Sequence, residues 1–298
     1  MEAVSWDFNH HFNELKKFHF DYNEMISITL DSRNGFPEDR ARKWMADHWY
    51  FFLQAGITYF FVIFGIKLFM RNREPFDLQR PLNMWNGFLA VFSTGGAIFM
   101  ASEFFGILSQ GFRASYCDIG GMMKGSCGFW MWLFMLSKLA EFVDTIFIVL
   151  RKKPLMFLHW YHHILTLWYG VYSYPNSPAY NRWGIYLNFC VHSFMYSYYF
   201  LRSLNVKIPG SVAKAITTGQ ILQFVISIVV LVFVGVEHYG FGSMKDCVLD
   251  IPSFWLACFM DSTYLALFVN FFLKSYVLKG GKAKYAAGKK EVENKKKQ

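Results

Sequence analysis

The sequence has 298 residues, of which 54% are hydrophobic, 20% aromatic and only 17% charged. A soluble domain carries about 25% charged residues, so the deficit argues against a water-soluble globule and fits a chain whose solvent is mostly lipid. The formal net charge of +9 does not point to nucleic acid, because the Lys and Arg residues sit in short loops between apolar runs and in the last 20 residues, as topology signals and surfaces facing anionic lipids or an anionic cofactor do.

In chain order, residues 1–49 are mixed and charged, without the basic start, apolar core and small-residue cleavage site of a signal peptide. They read as a luminal amino-terminal segment. A bilayer span needs roughly 20 mostly apolar residues. Seven runs qualify: Tyr50–Met70, Trp85–Leu108, Phe129–Leu150, Met156–Tyr172, Trp183–Leu201, Ala215–Val236 and Phe254–Val277. The third, fourth and fifth carry polar residues. The expectation is an all-α polytopic membrane protein with seven transmembrane helices, its membrane unit covering residues 50–278.

The loops test this count. With a luminal amino terminus, alternation gives the cytosol Arg71, Arg73 and Arg80, then Arg151, Lys152 and Lys153, then Arg202, Lys207 and Lys214, and finally Lys274, Lys279 and the tail. The luminal loops between spans receive only Arg113, Lys124, Arg182 and Lys245. This agrees with the positive-inside rule at every loop, and an even number of spans breaks it. The Lys-rich tail, residues 279–298, ends Lys295-Lys296-Lys297-Gln298 and resembles the dilysine retrieval signal of endoplasmic-reticulum membrane proteins. An ordinary solubilising basic tail is the alternative.

Cys190 and Cys258 fall inside spans and read as packing residues. Cys117, Cys127 and Cys247 fall on the luminal side, where oxidation is permitted. A Cys117–Cys247 disulfide is predicted, with Cys127 as the alternative partner and three free thiols as the other outcome.

The third span places Lys138, Glu141 and Asp144 at three-residue steps; the fourth carries His159, His162 and His163; the fifth carries Asn188, His192 and Tyr196 at four-residue steps. Such spacings put each set on one helix face. An ionisable group at the bilayer centre costs about 2.5–3.5 kcal/mol on insertion scales, so these groups must face one another. At about 1.5 Å per residue, measured from the cytosolic ends, Lys138 to Asp144 lie roughly 9–18 Å deep, His159 to His163 about 6–12 Å, and Asn188 with His192 about 14–20 Å. Three helices deliver polar groups to one layer. A structural polar network, at about 0.6 kcal/mol per contact, explains one His or an Asn but not this density.

Three chemistries compete for such a layer. His-x-x-His-His also occurs in membrane di-iron desaturases and hydroxylases, but those use more histidine ligands in several separate boxes. Here His10, His11, His19 and His48 precede the first span and His238 lies near a luminal loop, so four histidines reach the layer. A single Zn or Fe site is admissible on ligand number, although none is predicted. A proton-coupled transporter uses intramembrane Lys, Glu, Asp and His chains, yet no paired Gly/Pro interruptions and no internal repeat are visible. Organic catalysis fits best, since neutral imidazole is both a base and a nucleophile able to take up an acyl group. No cysteine stands with the histidines at helical spacing.

The motifs Lys138-Leu-Ala-Glu141-Phe-Val-Asp144-Thr145, His159-Trp160-Tyr161-His162-His163 and His192-Ser-Phe-Met195-Tyr196-Ser-Tyr-Tyr199 occur in that order. This set resembles the ELO family of very-long-chain fatty acid elongases, from about Trp49 to the tail, including Asp144-Thr-Ile-Phe-Ile-Val-Leu-Arg-Lys-Lys153 and the Gln220/Gln223 pair. The resemblance implies that the last six spans surround a closed-ended acyl tunnel in the endoplasmic-reticulum membrane, with the carboxyl terminus cytosolic. It implies decarboxylative Claisen condensation of a long-chain acyl-CoA with malonyl-CoA to 3-oxoacyl-CoA, CO2 and CoA, through an acyl-imidazole. The CoA esters are substrates and no cofactor is expected.

By position in the motif, His162 is the implied acyl acceptor, with His163 and His192 as base, orienting group or oxyanion partner. His159, Asn188, Tyr196 and Lys138 are implied to line the site, and Arg151 and Lys153 to meet the CoA phosphates at its mouth. Glu141 and Asp144 are implied to position Lys138 and the histidines, or to be structural. Implied partners are a ketoreductase, a dehydratase, an enoyl reductase and membrane lipid, with room for a homodimer. One departure is the short segment Pro154-Leu-Met-Phe-Leu158, from which no CoA contact is carried over. The His-Trp-Tyr-His-His form resembles the branch acting on palmitoyl-type and some polyunsaturated acyl-CoAs.

Overall fold

The computed structural model describes residues 20–31, 35–241 and 247–278. The retrieval-like tail lysines, Lys245 and the first nineteen residues lie outside them. Among the described residues the chain is all helix. The helices are α1 (Tyr22–Asp31), α2 (Glu38–Phe69), α3 (Gln79–Ser109), α4 (Phe112–Cys117), α5 (Gly125–Ala140), α6 (Phe142–Leu150), α7 (Phe157–Ser173), α8 (Asn181–Ser203), α9 (Gly210–Gly235) and α10 (Ile251–Phe272). Turns of π-helix, Val236–Phe241 and Leu273–Val277, prolong α9 and α10.

Among the described residues, four helical runs are long and apolar enough to cross a membrane: Glu38–Phe69, Gln79–Ser109, Gly210–Gly240 and Ile251–Val277. The third, fourth and fifth expected spans coincide with α5 and α6, α7 and α8; α5, α6 and α7 have only 16, 9 and 17 residues, and the polar residues of the 23-residue α8 dilute its apolar character. The third is not one helix. At Glu141 the Asp144 N–H bonds the carbonyl three residues back, at 3.1 Å, and this tightened turn separates α5 from α6. The first apolar helix starts at Glu38, well before Tyr50, because its early turns are amphipathic. Ala41, Trp44 and Met45 are buried beside Ile28 of α1. The Trp44 indole donates to the Asp21 carbonyl at 3.0 Å, and Arg40 spans Glu24 and Asp31.

Helix neighbours close a ring. α3 packs along α8, α8 on α9, α9 on α10, α10 on α7, α7 on α5 and α6, and α5 returns to α3. α2 stands outside, against α7 and α6. The close α3–α8 approach needs Gly96, where a Cβ would overlap the Phe189 ring. Large side chains also face outward, with Phe61 at 69%, Phe194 at 70% and Met84 and Val91 at 76% exposure, as a lipid solvent allows and water does not.

One end of the ring is sealed by a covalent and polar clasp. Cys117 and Cys247 form a disulfide, Val248 N–H bonds the Cys117 carbonyl at 3.0 Å, and Ala179 N–H bonds the Val248 carbonyl at 3.2 Å. The fully buried Arg182 holds both Glu103 oxygens, at 2.8 and 3.0 Å, and the carbonyls of Ser115, Asp118 and Ile119. Asp250 caps α10 through the Ser253 N–H at 2.9 Å. The opposite end, at the α6–α7 and α8–α9 turns, is open.

Candidate active site

The open end leads into a chamber of about 700 Å³. Its mouth carries Arg151, Lys153 and Arg202, none paired with a carboxylate among the described residues. Arg151 Nη2 donates to Gln79 Oε1 at 3.2 Å, and the Gln79 amide donates in turn to the Ser203 carbonyl. Lys152, left-handed at φ 53°, reverses the chain between α6 and α7 and turns its own ammonium away, onto the carbonyls of Arg71 and Arg73. That reversal starts α7 at Phe157 and brings its first turns, with His159, His162 and His163, against the chamber.

Deeper in, the layer assembles from α5, α6, α7 and α8. The Lys138 ammonium donates to Glu141 Oε1 at 2.8 Å and to Asn188 Oδ1 at 3.0 Å, over the Phe134 ring at 4.2 Å. An ammonium has only donors, so this bond fixes which end of the Asn188 amide is oxygen. Its Nδ2 therefore donates to His192 Nε2, at 3.2 Å. In a neutral ring the proton is then on Nδ1, and His192 offers the chamber a donor. His159 Nε2 contacts Thr145 Oγ1 at 2.9 Å, which contacts Tyr59 O–H at 2.7 Å.

The His162 ring lies 4.8 Å from that of Tyr264 and 5.6 Å, at right angles, from that of His163. Tyr264 O–H anchors α7 there by donating to the His162 carbonyl at 3.0 Å. Neither the His162 nor the His163 imidazole has a protein hydrogen bond among the described residues. His162, Asn188, Gln223 and Phe224 line both this chamber and a second, narrower one of about 80 Å³ that continues towards the disulfide end. His162 thus stands at the neck between them.

The sequence-predicted residues divide. His159, His162, His163, Asn188, His192, Tyr196, Asp144, Arg151 and Lys153 all line the wide chamber. Lys138 and Glu141, each 3% exposed, stand behind its wall and reach it through Asn188. Among the described residues Asp144 makes no hydrogen bond to a histidine. It accepts from the Trp85 indole and, at 2.7 Å, from Tyr196 O–H, tying α6 to α3 and α8. Among the described residues no three His, Cys, Asp or Glu side chains are grouped as a metal ion would need. Sequence reasoning passed over Tyr264, Asp261 and the mouth role of Arg202. An acidic residue inside the apolar seventh run was a usable signal for Asp261.

Residues 44–284 match the model of the family described as "ELO: GNS1/SUR4 family". The chain is 55% identical over 277 residues to long chain fatty acid elongase 1 of Caenorhabditis elegans, covering 92% of this chain and 95% of the relative. It is 43% identical over 260 residues to very long chain fatty acid elongase 6 of Drosophila melanogaster (86% and 81% covered) and 38% identical over 245 residues to the human protein of that name (81% and 90%).

Proposed function

The chain belongs to the GNS1/SUR4 (ELO) family, and from that premise we propose that it is the condensing enzyme of fatty acid elongation, a 3-oxoacyl-CoA synthase. The observation that carries the reading is His162, with uncommitted imidazole nitrogens, at the neck between a wide chamber with a cationic mouth and a narrow one. A thioester carbonyl at the neck leaves its CoA in the wide chamber, where Arg151, Lys153 and Arg202 suit phosphates, and its hydrocarbon chain in the narrow one.

The chemistry is acyl transfer in two halves. A lone pair of His162 attacks the thioester carbonyl; the new C–N bond forms as the C–S bond breaks, and CoA leaves with a proton. Malonyl-CoA then takes its place, loses CO2, and its α-carbon attacks the acyl-imidazole carbonyl. The C–C bond forms as the C–N bond to His162 breaks, the departing imidazole takes up a proton, and 3-oxoacyl-CoA, CO2 and neutral His162 result. Each tetrahedral intermediate carries an oxyanion. His192, with its Nε2 lone pair held by Asn188, is suited to donate Nδ1–H to that oxyanion, while His163 is the remaining proton carrier beside His162. Preorganised donors of this kind supply about 2.7–4 kcal/mol each in comparable acyl-transfer enzymes.

In this reading the ring plus α2 makes seven spans in the endoplasmic-reticulum membrane. The cationic mouth and the tail are cytosolic, and a ketoreductase, dehydratase and enoyl reductase complete each cycle. A proton-coupled transporter is the alternative class, and the elongase names of the relatives weigh against it. Purified protein given an acyl-CoA and labelled malonyl-CoA separates the two. The expected result is 3-oxoacyl-CoA with stoichiometric CO2; neither product from folded protein removes the enzyme reading.

A further inference from the structure

The narrow chamber is less apolar than a hydrocarbon end requires. It holds about 80 Å³, where one water needs about 10–15 Å³, so several non-hydrogen atoms fit. It begins at His162 and reaches Ser173 on the same helix, roughly 16 Å along α7 at 1.5 Å per residue. Asp261 of α10 is in its wall, 8% exposed, and makes no hydrogen bond or ion pair among the described residues. It lies three residues, about 4.5 Å, beyond Tyr264 in the direction of the disulfide end. Further along, the Tyr180 hydroxyl lines the same chamber beside that of Tyr169. Tyr169 donates its proton to Asn181, so it has none for Asp261, and keeps its lone pairs for the Tyr180 hydroxyl.

A carboxyl thus faces one confined space unsatisfied. Buried polar groups are almost always paired, and one left unpaired against hydrocarbon costs what its desolvation costs. A plain acyl chain threaded through this chamber dehydrates that carboxyl and returns nothing. A chain bearing a hydroxyl returns a donor to Asp261. A site built to hydrogen-bond a substrate hydroxyl rejects the analogue lacking it far more strongly than an apolar site tells chains apart.

We propose that the narrow chamber is a subsite for hydroxylated acyl chains, in which the unpartnered Asp261 carboxyl receives a hydroxyl on the part of the chain beyond the reacting carbonyl. The inference rests on the elongase reading and names a substrate class for it. The test is condensation by the full-length protein with malonyl-CoA and acyl-CoAs of one length, either unsubstituted or hydroxylated at single positions from just beyond the β-carbon to the terminus. At one of those positions the ratio of kcat/KM, hydroxylated over unsubstituted, is expected to fall by about tenfold or more in Asp261→Leu. Asp261→Asn, which keeps an acceptor of the same shape, is expected to fall between. Because Asp261 holds nothing in the free protein, Asp261→Leu is also expected to melt no lower than the parent. An unchanged ratio at every position, or an equal loss on both substrates, overturns the proposal while leaving the elongase reading intact. No turnover of any acyl-CoA by the parent protein sinks both.

Discussion

Replacing Lys138 by Met removes the single cation from the buried layer and leaves Glu141 inside without compensation. Lys138 and Glu141 meet at 2.8 Å with side-chain exposures of 3% and 4%, and the second Glu141 oxygen has no hydrogen-bond partner among the described residues. At that distance and an effective dielectric of about 20, the attraction is about 6 kcal/mol. Taking the two ions out of water costs several kcal/mol each, so the pair as a whole contributes little. The asymmetry follows. Lys138→Met alone should cost about 3–5 kcal/mol, because a lone buried carboxylate remains, whereas Lys138→Met with Glu141→Gln should recover most of that loss. Activity should not recover with it, since the Asn188 amide loses the ammonium that orients it and His192 loses its fixed tautomer. Unfolding of purified protein in micelles, with turnover measured on the same samples, reads both quantities. A single variant as stable as the parent, a double variant no better than the single, or a double variant with full turnover each refutes the reasoning.

Asp144→Asn leaves one acceptor oxygen where two donors, the Trp85 indole and Tyr196 O–H, now converge. A loss of about 1–3 kcal/mol is expected, visible as a lower melting temperature and an altered Trp emission. Cys117→Ser opens a covalent loop with a sequence separation of 130 residues; it should cost up to about 5 kcal/mol in the chain-entropy account, and non-reducing electrophoresis should show slower migration. At the amino-terminal end, hydrogen bonding to Arg40 lowers the Glu24 and Asp31 carboxyls below their ordinary values of 4.5 and 3.8. Depressed carboxyls stabilise above those values, and the contribution is lost as the pH falls through the lower folded ones. Docking of α1 on α2, followed by limited proteolysis, should therefore weaken in acid and in salt. Arg40→Gln should remove both dependences.

The layer of polar groups was legible because ionisable side chains in apolar runs have few places to go, and helical spacing alone put three sets on three faces. What spacing could not give was which partner each would take. Asp144 follows Lys138 and Glu141 at regular steps, yet the helix breaks at Glu141 and turns Asp144 to Trp85 and Tyr196 instead of a histidine. Lys138 was expected in contact with substrate and stands one layer back, because Asn188 of the neighbouring helix is nearer than the chamber. Helix ends were the least legible feature. α2 begins in an amphipathic stretch that hydropathy reads as a charged loop, and only its packing on α1 and α5 shows otherwise. Asp261 was overlooked although its charge type in an apolar run was the same signal used for Lys138; it stood alone, without a motif around it.

The account turns on His162 taking the acyl group. Protein incubated with acyl-CoA alone, digested and examined by mass spectrometry should carry one acyl mass on the peptide containing His162, and malonyl-CoA should discharge it as 3-oxoacyl-CoA at the turnover rate. An acyl group mapped to any other residue, or full turnover by His162→Ala, contradicts the account.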